Sequence, residues 1–182
     1  MLYNLIMKKL LLILILLTSI ILLSSCSIYN LSNFTLPDDV KFLALIQELD
    51  TPEKICQYML DNFTYELHLL NILSPYQLYI TQKGDCDDFA NFAIFISNYH
   101  GYETFLMKIS YKNYAINHYL AIYKENGYYN FSDNQYYFPV NYDNFSDIVL
   151  LDSQWVYNYY GYIWSKYIVY DYDMNIIEQG TK

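Results

Sequence analysis

The sequence predicts an α+β fold, with helices first and an antiparallel sheet after them, and three observations carry that prediction. Apolar residues recur at helical spacing as far as Tyr99. From Thr104 onward the pattern changes to alternating, aromatic-rich runs. Asn126-Gly127 lies between two of these runs as a hairpin signal.

The chain opens with a leader. Lys8 and Lys9 precede an apolar run, Leu10 to Leu23, broken only by Thr18 and Ser19 and followed by small residues ending at Cys26. A basic start, an apolar stretch too short for a bilayer and a small-residue cleavage site make up a signal peptide, so residues 1–25 are assigned to one. Leu23-Ser24-Ser25-Cys26 resembles the bacterial lipobox. That resemblance implies a lipidated Cys26, export, and anchoring of a soluble domain to a bacterial membrane, at the cell surface or in the periplasm. The chain beyond the leader suits the size of one domain, and no internal repeat is visible. All ten basic residues of the 182-residue chain are lysines, against 19 acidic ones. An acidic balance of this kind argues against a nucleic-acid partner, whose phosphates need a basic patch.

Residues 26–37 are polar, contain Pro37 and read as a tether, leaving 38–182 as the domain. A helix is expected over 39–49, where Val40, Leu43, Ala44 and Ile46 have helical spacing. A second runs from about 52 to 64, with Thr51 as its cap and Pro52 in its first turn. Residues 65–84 read as irregular, with Ser74-Pro75 as a break. A strongly apolar helix from Cys86 to Tyr99 stops at Gly101. Strands are expected over Thr104–Tyr111, Ala115–Tyr123 and Tyr128–Ser132, and in aromatic runs near 135–140, 155–160 and 163–170. Asp171-Tyr172-Asp173-Met174-Asn175 has the opening spacing of a calcium loop but lacks its later glycine and glutamate, so it reads as a turn.

Beyond Cys26 the cysteines are Cys56 and Cys86, which excludes a multi-bridge scaffold. Cys56 shares a helix face with Ile55, Met59, Leu60 and Phe63, where a free thiol is ordinary core packing. Cys86 differs, because Gly84-Asp85-Cys86-Asp87-Asp88-Phe89-Ala90 makes it the opening residue of a helix. Asp85 stands at the N-cap and Asp88 three residues on, as in a capping box with aspartate in place of glutamate. A thiol there faces unpaired backbone N–H groups and the positive end of the helix dipole. Both favour the thiolate, and the same N–H groups suit the oxyanion formed when it attacks an acyl carbon. Three adjacent aspartates oppose the thiolate, so a cation is needed: an imidazolium, Lys83 or a metal.

His118 is the candidate imidazole. With a two-residue Asn126-Gly127 loop His118 faces Gln135 and Asp133 faces Leu120; with a four-residue loop His118 faces Asp133. Either register puts the two on one face, at most roughly 7–8 Å apart before their side chains reach toward each other. A carboxylate there can hold the imidazole's tautomer, completing a set of nucleophile, base and orienter. The other two histidines have simpler explanations: His100 lies in the last turn of its helix, at the negative end, and His68 in the irregular segment.

The run Gln77-Leu78-Tyr79-Ile80-Thr81-Gln82-Lys83-Gly84-Asp85-Cys86-Asp87-Asp88-Phe89-Ala90, then His118-Tyr119-Leu120, then Phe131-Ser132-Asp133-Asn134, resembles the transglutaminase-like superfamily. Within it, the sequence looks most like the bacterial transglutaminase-like cysteine proteinases. The likeness runs from residue 52 to about 140. It implies a papain-like, transglutaminase-like core with Cys86 as nucleophile, His118 as base and Asp133 as orienter. Members of that branch that cleave periplasmic proteins bind calcium through acidic residues flanking the cysteine, which maps onto Asp85 and Asp87. Asp87 is shorter than the glutamate usual there, and helix capping alone also accounts for both aspartates. Gln77 and Gln82 are candidates for a second oxyanion donor. The resulting expectation is a thiol hydrolase, a cysteine peptidase or amidase acting on peptide or protein amides, or an acyl transferase if an amine resolves the intermediate. The alternative is a non-catalytic lipoprotein used as a binding or scaffold module, with Tyr136, Tyr137, Tyr157, Tyr159 and Tyr160 as a contact surface.

Overall fold

The computed structural model describes residues 29–68 and 72–182. The assigned signal peptide, 1–25, and Cys26 lie outside the described residues, within which no helix is long and apolar enough to cross a membrane. Part of the expected tether packs on the domain. Leu31, opening a 3-10 turn over Leu31–Asn33, is 2% exposed, and Phe34 meets Phe95 edge-on at 4.9 Å. Burying Leu31 and partly burying Phe34 outweighs the local polarity that suggests free chain.

Helix α1, Val40–Glu48, buries Phe42 and Ile46 and is capped by the Asp39 carboxylate, which accepts from the Lys41 and Phe42 N–H groups. Helix α2, Pro52–Asn62, starts with Thr51 accepting from Lys54 N–H. The stretch expected to be irregular holds a third helix, α3 (Pro75–Thr81), and two short parallel strands, β1 (Thr64–Tyr65) and β2 (Lys83–Gly84). Ser74-Pro75 is therefore a beginning and not a break. Ser74 Oγ accepts from Gln77 N–H, Gln77 Oε1 accepts from Ser74 N–H, and proline suits a first turn that needs no donor.

Strand β2 leads directly into α4 (Cys86–Tyr99), whose Phe89, Phe92, Ala93 and Ile96 are fully buried. Six antiparallel strands come next: β3 (Glu103–Tyr111), β4 (His118–Glu125), β5 (Tyr128–Asp133), β6 (Tyr136–Tyr142), β7 (Trp164–Tyr170) and β8 (Ile176–Thr181), in the order β6-β5-β4-β3-β7-β8. Between β6 and β7 lies helix α5, Phe145–Tyr160. The aromatic run 155–160, expected as a strand, is the end of this helix. Asn144 accepts from Asp147 N–H at its start, and Gly161 in the left-handed region stops it. Tyrosine's strand preference gives way there to an apolar face, Phe145, Ile148 and Val149, buried against the sheet.

Alternation along β4 sorts the core into two layers. Tyr119, Ala121 and Tyr123 pack on the α4 side, while Leu120 and Ile122 join Phe131 and α5 on the other. The β4–β5 loop has two residues, Asn126 and Gly127, both with positive φ, so Glu125 pairs with Tyr128 and Leu120 with Asp133. His118 and Asp133 are thus diagonal neighbours on the α5 side, at the end of the sheet where α4 begins.

Candidate active site

Cys86 opens α4 and is 7% exposed, its Sγ 3.9 Å from the Asn117 carbonyl oxygen. It is a free thiol, as is Cys56. Cys56 lies buried near Tyr123 and Ser132, and burial pushes its thiol up to about 12, as befits packing material. The turn before Cys86 is held by Asp88, which is fully buried. Its Oδ2 accepts from Asp85 N–H at 3.0 Å and lies 3.1 Å from His68 Nδ1, and its Oδ1 accepts from Leu73 N–H at 2.6 Å. Asp85 Oδ2 in turn accepts from His68 N–H at 2.8 Å. His68 therefore braces the helix start from behind. His100 is occupied elsewhere, its Nε2 2.7 Å from the Ile46 carbonyl oxygen. Gly84 permits this packing, because a Cβ there would lie 2.7 Å from Leu78 Cδ1 and 2.8 Å from Asp88 Cβ.

His118 begins β4 with its side chain 18% exposed, and its Nε2 is 2.9 Å from Asp133 Oδ1. That leaves Nδ1 as the ring nitrogen free to take up a proton, and the neighbouring Cys86 thiol adds to the basicity of the imidazole. Asn134 Nδ2 donates to the same Asp133 oxygen at 2.9 Å, and Gln135 ties the β5–β6 turn to the end of α2 by donating to the Met59 and Phe63 carbonyls. Burial alone would lower the His118 pKa, but the charge and hydrogen bond of Asp133, then Cys86 and Asp152, outweigh it and hold the imidazolium well above its ordinary value. The stability this contributes is fully present below the unfolded value of 6.5 and is lost as pH rises through the folded one.

A second carboxylate reaches His118. Asp152 Oδ1, from α5, is 3.8 Å from Nε2. Nothing in the sequence pattern singles this residue out, because it lies between the aromatic runs near 135–140 and 155–160, where no helix is expected. Burial, followed by repulsion from Asp133, pushes its carboxyl up to about 6 despite the imidazolium and a hydrogen bond from Tyr111. The cleft over these groups has a volume of ≈ 450 Å³ and is walled by Tyr65, Tyr111, Tyr114, Tyr160 and Tyr162. The Tyr114 and Tyr162 rings stack at 4.4 Å. Neither Gln77 nor Gln82 lines it; Gln77 is spent on capping α3. The backbone amides at the start of α4 remain as the candidate oxyanion donors.

The calcium implied by the resemblance can be tested against the aspartates beside Cys86. Oxygens of Asp85, Asp87 and Asp88 lie within 4.8 Å of one another. Asp88 is committed to its own donors, whereas Asp85 Oδ1 is buried with no hydrogen-bond partner among the described residues. Burial, then the Asp85 carboxylate, pushes Asp87 up to about 9. An all-oxygen donor set fits a hard cation, with Asp85 and Asp87 as the residues that would hold it. Because the folded pKa of Asp87 lies above its unfolded value of 3.8, the metal-free protein should lose stability as pH climbs from about 4 through about 9. Melting temperature against pH in chelator should show this decline for wild type and a flatter profile for Asp87→Asn. Parallel profiles would remove the assignment.

A family model described as a transglutaminase-like domain matches residues 29–160, a span that includes Cys86, His118, Asp133 and Asp152. No curated protein matches the chain.

Proposed function

This chain belongs to the transglutaminase-like domain family, and from that premise we propose that it is an exported, lipid-anchored thiol hydrolase of the bacterial cysteine-proteinase branch. Its substrates are peptide or protein amides. The observation that carries this reading is the His118 imidazole, held by Asp133 at 2.9 Å on Nε2 and lining the same cleft as the Cys86 thiol. Export and anchoring rest on Lys8-Lys9, the apolar run to Leu23 and the lipobox-like Leu23-Ser24-Ser25-Cys26.

The Cys86 thiol passes its proton to His118 Nδ1, and Sγ bonds to the amide carbon while the α4 amides receive the oxyanion. The C–N bond breaks as His118 returns the proton to the departing amine, leaving a thioester on Cys86. Water attacks that thioester, giving its proton to His118, and the acid leaves as the thiol re-forms. Asp133 keeps Nε2 protonated and the ring in position throughout. An amine in place of water would turn the same sequence into acyl transfer; water's abundance outside the cell favours hydrolysis. Calcium at Asp85 and Asp87 would supply positive charge beside the thiol.

The test is mass spectrometry of the intact protein quenched during turnover of a p-nitrophenyl ester and of a peptide library. A substrate-dependent mass increment mapped to Cys86 supports the reading. Its absence, with no product from any amide, rejects it.

A further inference from the structure

We infer that Asp152 is a positioning residue for the proposed reaction: a second, buried carboxylate from α5 that approaches the same ring nitrogen of His118 as the partly exposed Asp133. The inference rests on the hydrolase reading for its purpose, and on geometry for its substance. Asp152 continues the core-facing stripe Phe145, Ile148 and Val149 of α5, a place where an apolar residue would ordinarily stand. Its side chain is 1% exposed, against 26% for Asp133. A carboxylate buried this deeply is costly unless a cation or several donors face it.

Among the described residues, few groups face it. From β3, Tyr111 donates to Oδ2 at 3.3 Å. Among the described residues Oδ1 has no hydrogen-bond partner, and it lies 3.8 Å from His118 Nε2 on β4. Asp133 on β5 adds repulsion, and Cys86 on α4 acts through the imidazole. The imidazolium is thus the cation that accounts for the buried charge. The two carboxylates divide the work by exposure. Asp133 makes the short hydrogen bond that fixes the tautomer. Asp152, shielded from water, supplies unscreened charge that favours the protonated ring and keeps it against the sheet. A merely structural role would leave Asp152 as the acceptor of Tyr111 and no more.

The experiment is a 15N NMR titration of the histidine-labelled protein in chelator, with His118 assigned by His118→Gln among the three histidines. Asp152→Asn, which keeps the shape and the Tyr111 contact, should lower the His118 pKa by at least about one pH unit, a tenfold change in its protonation equilibrium. Tyr111→Phe should leave it within a few tenths of a unit of wild type. An Asp152→Asn protein that folds with an unchanged His118 pKa overturns the inference. Should that variant not fold, the wild type decides. Ionisation of Asp152 near pH 6 should appear as a separate inflection in the His118 Nε2 shift, and a single-step curve overturns the inference. A lowered pKa in a protein inert toward every amide would keep Asp152 as a positioning residue and reject the hydrolase, so the two failures are distinguishable.

Discussion

Cys86→Ala is expected to lose at least about 10³-fold in turnover on any amide or ester substrate, because the covalent route disappears and nothing else in the cleft can form a thioester. The loss should be chemical and not structural. Alanine is the best helix former, the Asp85 and Asp88 contacts that hold the helix start do not involve the thiol, and Cys86 occupies the rim of the core. Unfolding should therefore change by no more than about 1 kcal/mol. His118→Ala should fall nearly as far, and the double variant little further, since residues acting as one unit are not additive. Release of labelled peptides from casein, measured for wild type and Cys86→Ala at equal concentration, tests this directly. Equal rates would end the hydrolase reading and leave the cleft, with its tyrosine wall, as a binding surface.

The residues legible in the sequence share one property: their geometry is local. Asn126-Gly127 specifies a two-residue turn, and the period of two then carries His118 and Asp133 to the same face with no further information. Gly84-Asp85-Cys86 with Asp88 likewise announces a helix start within five residues. The features that escape are either masked by a misleading residue or set by distant packing. Ser74-Pro75 reads as punctuation although Ser74 and Gln77 have capping-box spacing. The tyrosines and tryptophan near 155–160 suggest a strand although Asn144, Asp147 and Gly161 frame a helix. Asp152 is the hardest to see. Its carboxylate interrupts the apolar stripe of α5, which hides the helical period, and only the folding of α5 over the sheet brings it to His118. A polar residue that breaks a core pattern is thus both what conceals the helix and the mark of the site.

Phe131→Ala should destabilise the protein by about 3–5 kcal/mol, the cost of removing a large aromatic side chain from a packed core. The Phe131 ring is fully buried, stacks on Phe138 at 4.9 Å, and lies beside Trp155 with centroids 6.4 Å apart, so it joins β5 and β6 to α5. Set against the roughly 5–15 kcal/mol that stabilises a typical domain, this is a large share, and the urea midpoint should drop with little change in slope. The consequence reaches the site by two short paths. Asp133 lies two residues along β5 on the same face, and Asp152 one turn before Trp155 on α5. Loosening α5 withdraws the buried carboxylate and leaves the imidazolium to Asp133, which water screens. In the population that remains folded, the His118 pKa should therefore fall toward the value in Asp152→Asn. A Phe131→Ala protein with its midpoint lowered and its His118 pKa unmoved would mean that α5 holds Asp152 without help from this aromatic contact, and that Phe145, Ile148 and Val149 alone fix the helix on the sheet.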